Sequence, residues 1–378
     1  MTLLVLLACA PPVAQPPGDD SAPSETGDDS GTPPPPACQA LEDPGLPMDF
    51  ASLTARLGTQ HCLSVIDQGA MSGQIDRFHA EQRVWCDEVY RMDSPDGLTF
   101  STTPQQVREH ASVSDVMVTA TGTHVVVFND LSPTLLMDTL VSDPERFWRQ
   151  GLLGLGGLGM IVDDGAGFQD AVFDAHLASL QELIDPDLAA LADGTFRFVW
   201  FGVPVAALSP DSWDPYLSAE PHAFFRTTSS DFASFPTAPA IVSCSEGEYG
   251  EADPSVVSLA DGGEVLYAGA LSGTAKGWRS EDGVTWDDPG TPTLESGLPA
   301  GAPDLVSDGA GGYRMYFVNN QTGREEVATS LDGETWAILG PVMDMPNAHG
   351  GSVARAPDGT WWIYFNIPNA ECMAQAAE

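Results

Sequence analysis

The chain repeats itself, and this constrains its fold more than any other feature. Five segments share one pattern: a short start of small or acidic residues, an alternating apolar strand, a tight turn, then an aromatic-rich strand. They are VSDVMVTATGTHVVVFND from Val113, DPDLAALADGTFRFVWFG from Asp185, DPSVVSLADGGEVLYAGA from Asp253, APDLVSDGAGGYRMYFVN from Ala302 and GGSVARAPDGTWWIYFN from Gly350. Asp-Gly or a Gly-rich equivalent joins the two halves, the strongest short-range hairpin signal. The second strands are β-branched and aromatic, as half-buried strands are.

A hairpin cannot bury its apolar face alone, whereas a ring of small sheets around a channel buries each face against the next. The predicted fold is therefore all-β, a five-bladed β-propeller over residues 38–378. Residues 82–100 read as outer strands without an inner pair, and are expected to complete the last blade, whose own final strand is placed near 371–378. Early repeats lie farther apart (185 − 113 = 72 and 253 − 185 = 68) than late ones (302 − 253 = 49 and 350 − 302 = 48). The early blades thus carry insertions, one of them a helical insertion at about 131–184. Within it residues 170–184 are apolar at helical spacing; a second helix is expected at 49–57.

A further element follows most hairpins. Ser280-Glu-Asp-Gly-Val-Thr-Trp286, Ser330-Leu-Asp-Gly-Glu-Thr-Trp336 and Ser94-Pro-Asp-Gly-Leu-Thr-Phe100 match one another, with a decayed copy from Ser230. They resemble the Asp-box of propeller proteins. Physically the box is a turn: Ser and Asp cap amides, Gly takes the left-handed position, and the aromatic packs between sheets.

The opening MTLLVLLACA ends an apolar run at Cys9, which resembles a bacterial lipobox, so residues 1–9 are expected to be a lipoprotein signal and Cys9 the lipidated residue. The run is too short to span a bilayer and lacks a basic flank. Residues 10–37 are almost wholly Pro, Gly, Ser, Thr, Ala, Asp and Glu, which cannot bury enough surface to order themselves. The expected layout is an exported domain, lipid-anchored at the cell envelope or surface by a disordered tether. Cys38, Cys62, Cys86, Cys244 and Cys372 remain for disulfides, in pairings the spacing leaves open.

Asp and Glu number 54 against 14 Lys and Arg, a net charge of −40. Such a surface excludes nucleic acid, which needs a basic patch, and is soluble by self-repulsion. The expected state is a monomer.

Inner strands of a propeller line one channel, and their first residues ring its mouth. Asp115, Asp185, Asp187, Asp253 and Asp304 stand there, with Glu251 just before Asp253. Converging carboxylates push some pKa values up and leave others ionised, so an acid and a base can coexist. They are also the oxygen donors that a calcium ion takes, although no cofactor can be named from sequence.

At these positions the chain resembles the five-bladed glycosidases of glycoside hydrolase family 43 and its relatives. That resemblance implies Asp253, in Asp253-Pro254-Ser255, as general base, and Asp304, in Ala302-Pro303-Asp304, as the residue that tunes and orients. The family's glutamate acid has no counterpart: the place reads His349-Gly350-Gly351-Ser352. Either Glu251 supplies the acid in a rearranged site, or Asp115, Asp187 and Glu251 form the triad in a different frame; Asp115, Asp185 and His349 are otherwise expected to touch ligand. A sialidase would need three arginines on a carboxylate, and no inner-strand start carries one. Two expectations compete: a propeller that binds or hydrolyses carbohydrate, and a non-catalytic scaffold for a protein partner in which the aspartates only cap blades.

Overall fold

The computed structural model describes residues 86–132, 158–172, 184–191, 193–202, 222–231, 240–245, 252–269, 274–283, 285–286, 292–345 and 348–375. The lipobox, the tether, the helix expected at 49–57 and Glu251 lie outside them. The described residues form five four-stranded antiparallel sheets, the five blades of a propeller.

Blade 1 runs from the channel outward as β3 (Ala111–Val118), β4 (His124–Asp130), β5 (Leu158–Asp163) and β6 (Gln169–Ala171); the last blade alone needs β1 and β2 from earlier in the chain. Blade 2 is β7 (Ile184–Ala190), β8 (Phe196–Gly202), β9 (His222–Ser229) and β10 (Ala240–Ser245). Blade 3 is β11 (Ala252–Ser258), β12 (Glu264–Gly269), β13 (Lys276–Ser280) and β14 (Leu294–Glu295). Blade 4 is β15 (Ala300–Ser307), β16 (Tyr313–Asn319), β17 (Arg324–Ser330) and β18 (Ala337–Pro341). Blade 5 is β19 (His349–Arg355) and β20 (Trp361–Pro368), followed by β1 (Asp87–Ser94) and β2 (Gln105–Glu109).

Blade 5 is thus built from both ends of the domain, as expected for residues 82–100. β1 pairs with β20 along its whole length, from Asp87 opposite Pro368 to Ser94 opposite Trp361. A disulfide from Cys86 to Cys372 fastens the same seam. Over its described residues, the segment placed near 371–378 is not a strand. Ala370–Gln375 forms a short helix, α1, whose first amides donate to Asn369 Oδ1 at 3.0 and 2.9 Å. β1 already occupies the edge of β20, so no place is left for a C-terminal strand.

The insertion at 131–184 also differs from expectation. Leu158–Asp163 and Gln169–Ala171 supply the outer strands of blade 1, and Ile184 opens β7, so the helix does not cover its predicted ends; 173–183 lie outside the described residues. A blade needs four strands, and alternating Leu158, Met160 and Val162 provide the third.

The core lies between blades. Phe198, Trp200 and Phe225 of blade 2 pack on Met117, Val127 and Met160 of blade 1. Tyr267 and Val265 of blade 3 meet Met315 and Phe317 of blade 4, and Tyr364 and Val89 of blade 5 meet Val126 and Phe128 of blade 1. The seam of blades 2 and 3 holds Phe224 edge-on to Trp278 and a buried ion network. In it Arg197 lies 2.8 Å from Glu264, which also pairs with Arg226 at 3.3 Å.

The Ser-x-Asp-Gly turns adopt one geometry. Ser94, Ser280 and Ser330 each close a strand, and each Oγ accepts the amide of Gly97, Gly283 or Gly333 at 2.8–2.9 Å. The aspartates Asp96, Asp282 and Asp332 then accept amides further on. In blade 2 the equivalent serine is Ser229, not Ser230: it ends β9 and accepts the Asp231 amide at 3.2 Å.

Candidate functional site at the channel mouth

Each inner strand breaks its ladder at the same place. Register shifts fall between Ser112 and Asp115, Ile184 and Asp187, Ala252 and Pro254, Gly301 and Asp304, and His349 and Ser352. At each bulge one residue takes a left-handed backbone: Val113 (φ 49°), Asp185 (52°), Asp253 (51°), Ala302 (42°) and Gly350 (63°). Four of these carry a Cβ, which costs about 1–2 kcal/mol apiece. Bulges re-aim side chains, and here they turn the residue two further on toward the neighbouring blade.

Those residues are Asp115, Asp187, Ser255, Asp304 and Ser352, and each accepts a backbone amide from the next blade. Asp115 takes the Leu188 amide, Asp187 that of Val256 (3.3 Å) and Ser255 Oγ that of Leu305 (2.9 Å). Asp304 takes the Val353 amide (2.6 Å), and Ser352 Oγ that of Val116 (2.9 Å), which returns to blade 1. The circle is closed. Two hydroxyls strengthen it, Ser255 donating to Asp187 at 2.7 Å and Ser352 to Asp115 at 2.5 Å. Burial holds Asp115 and Asp304 well above the usual carboxylate range, reinforced by the charge of Asp187. Asp187 is raised too, by burial, against the pull of Arg197 at 3.7 Å.

The ring separates Asp185 and Asp253 from Asp115, Asp187 and Asp304, which the sequence places together at the mouth. Asp253 belongs with Asp185, one step nearer the mouth, because both occupy the left-handed position. The Asp253 amide donates to Asp185 at 3.4 Å, and the two carboxyls share a hydrogen bond. Burial, then the charge of Asp253, holds Asp185 well above the carboxylate range. Asp253 is pushed up to about 6 by burial, opposed by its bonds from Asp185 and the Ala302 amide and by His349. The pair therefore holds a proton more tightly than free carboxyls do.

Residues 113–115, 185–187, 253–255, 302–304 and 350–352 line a cavity of about 60 Å³. All five predicted aspartates are brought to it. At about 10–15 Å³ for each water, it holds a few small polar groups. No described arginine lines it. Nor do three or more His, Cys, Asp or Glu among the described residues converge as ligands for a metal ion.

His349 opens β19 beside Gly350 of the lining. Its Nε2 lies 3.3 Å from Asp87 Oδ2, the oxygen that also accepts Ser112 Oγ at 2.7 Å. Asp87 and Ser112 escape sequence reasoning because the closing strand β1 and the residue before a bulge bring them there. Glu325 escapes it too: buried in β17 behind Gly351, its carboxyl is pushed up to about 8 by burial. The signal for the ring itself was present, since aligning Pro186, Pro254 and Pro303 puts Asp187, Ser255 and Asp304 in one column.

No protein-family profile and no curated protein sequence matches this chain. Among solved structures it is similar to a GH43_1 enzyme from Xanthomonas citri, with 14% identity over 67% of this chain and 82% of that one, at a TM-score of 0.42. It is similar to a Dyadobacter fermentans protein of unknown function, with 14% identity, 73% and 83% coverage and a TM-score of 0.47. A Trypanosoma rangeli sialidase aligns with 10% identity, 76% and 60% coverage and a TM-score of 0.40. At such identities these likenesses assign no role to any residue.

Proposed function

We propose that this propeller binds a neutral carbohydrate at the mouth of its channel, through the Asp185–Asp253 pair. The observation that carries the reading is the pair itself: one carboxyl that donates, one that accepts, at a cavity whose other carboxylates are committed to the ring. Such a pair matches the donor and acceptor faces of a sugar's hydroxyls. Binding is favoured over hydrolysis. Glycosidase carboxyls stand about 5–9.5 Å apart, whereas Asp185 and Asp253 touch, and Asp304 is held on the Val353 amide.

Calorimetric titration with neutral xylan and arabinan oligosaccharides, preceded by a glycan array, tests this reading. Losing a hydrogen bond to a charged group costs about 1.5–3 kcal/mol, or roughly 10–100-fold in affinity. Asp253→Ala is expected to weaken binding by that factor, while Asp185→Asn, which mimics the protonated partner, stays near wild type. Absence of any glycan ligand, or binding indifferent to Asp253→Ala, would overturn it. Turnover of a chromogenic glycoside panel would move the reading to catalysis.

Export and lipidation at Cys9 belong to the same proposal, supported by the apolar run and the Pro- and Asp-rich tether. Cys9→Ser in a lipidating host should release the protein from the membrane fraction; unchanged partitioning would reject the anchor. The serine turns are proposed as Asp-box relatives on their shared capping bonds.

A further inference from the structure

The inner hairpins turn at the end of the channel opposite the mouth, and there blades 4 and 5 exchange arginines across their seam. Arg314 of β16 reaches Gly97 in the serine turn of blade 5, and Arg355, the last residue of β19, reaches Gly309 in the hairpin turn of blade 4. Both glycines are left-handed (φ 68° and 72°), and a Cβ on either would fall on the guanidinium resting there. Both guanidiniums also lie against one indole, that of Trp361, with Arg314 Cζ 4.1 Å and Arg355 Cζ 5.8 Å from the ring centre. Arg314 Nη1 donates to the Asp96 carbonyl at 2.6 Å and the Tyr316 hydroxyl at 3.2 Å. Its other nitrogens, and all those of Arg355, meet no acceptor among the described residues. Elsewhere in this chain of net charge −40, Arg91, Arg108, Arg197, Arg226, Lys276 and Arg279 each pair with a carboxylate. Arg314 and Arg355 pair with none, although acids share their turns. Asp96, Asp308 and Asp358 are turned instead onto the amides of Leu98, of Ala310 and Gly312, and of Thr360.

We propose that Arg314 and Arg355, held on Trp361, form a binding site for a carboxylate carried by a small organic acid or an acidic sugar. A guanidinium presents its N–H donors in one plane, in a fork that matches the two oxygens of a carboxylate. Contact with an aromatic face fixes that plane without consuming the donors, and the two glycines leave the room in which each plane lies. The acidity of the whole chain does not prevent binding. At physiological ionic strength charges more than about 8 Å away are largely screened, so an anion here is governed by the two guanidiniums it touches. The site lies at the far end of the channel from the Asp185–Asp253 pair, and it stands or falls apart from the glycan reading.

The test is an NMR titration of the isotopically labelled full chain with sodium glucuronate or sodium succinate, sodium chloride being withdrawn to keep the ionic strength fixed. The reporters are the Trp361 indole N–H, assigned with Trp361→Phe, and the Nε–H groups of Arg314 and Arg355. These resonances should shift and saturate. Arg355→Gln, at an exposed position, should weaken the response about fivefold, the contribution of one exposed ion pair. Arg355→Lys keeps the charge but loses the fork, so it should recover only part of the binding, and it carries the comparison where Arg355→Gln does not fold. Saturation by both acids makes the carboxylate alone the recognised group, and saturation by glucuronate alone assigns the site to an acidic sugar. Shifts that never saturate, or that survive both Arg355 variants unchanged, would overturn the inference and leave the arginines as a clasp on the seam.

Discussion

Asp304 accepts the Val353 amide, and burial favours its neutral form. An amide side chain preserves both acceptor and charge state, so Asp304→Asn is expected to stay within about 1 kcal/mol of wild type at pH 7. Asp304→Ala strands a buried N–H and should cost about 1–3 kcal/mol, as read by chemical denaturation. The acids of the mouth also set a pH dependence of unusual sign. Asp253 is pushed up to about 6 and Glu325 to about 8. Each binds its proton more tightly when folded, so its stabilisation is complete below the unfolded value and is lost as pH rises through the folded one. The melting temperature should therefore fall from pH 5 to pH 8.5, and Glu325→Gln should flatten the upper part of that fall. A melting curve that rises over this range would contradict the assignment. At this scale the sequence was legible in kind but not in column. It brought five aspartates to one mouth, yet it did not separate Asp185 and Asp253 from the other three, because a two-residue step within a bulge leaves composition unchanged.

The turns after β1, β13 and β17 show what an element adds. Trp286 is buried, whereas Trp336 is half-buried, edge-on to Tyr267 of blade 3. Trp286→Ala should cost about 3–5 kcal/mol, as large aromatic truncations in cores do, and Trp336→Ala less, with channel binding unchanged in both. Gly97 has a left-handed backbone (φ 68°), and a Cβ there would fall 2.7 Å from Trp361 and 2.8 Å from the Tyr316 hydroxyl. Gly97→Ala is expected to loosen the seam of blades 4 and 5 and lower the melting temperature more than Gly122→Ala, whose added Cβ meets nothing. Hairpins and turns were legible because their signals are local. The strands β5 and β6 were not, for Gln169–Ala171 is too short to show a period, and α1 was misread because a tail's structure depends on what already occupies the sheet edge.

Over the whole molecule, the number of blades followed from counting repeats, and closure by residues 82–100 from their lack of an inner pair. The pairing of Cys86 with Cys372 did not, since nothing local relates residues separated by 286 positions. In the chain-entropy account a loop of that length places the bond near the top of the usual range, about 5 kcal/mol. Reduction, or Cys86→Ser with Cys372→Ser, should lower the unfolding midpoint by a matching amount, and a midpoint indifferent to reductant would show that the sheet alone closes the ring.

That seam also imposes a timetable. Ribosomes add about 5–20 residues per second, so 286 residues separate the emergence of Cys86 from that of Cys372 by roughly 15–60 seconds. Throughout that interval β1 has no β20 to lie against, and apolar Val89 and Met92, buried in the finished blade, stay open to any passing surface. A cell making this protein must shelter its first strands until its last ones arrive, and must keep one thiol reduced until its partner exists.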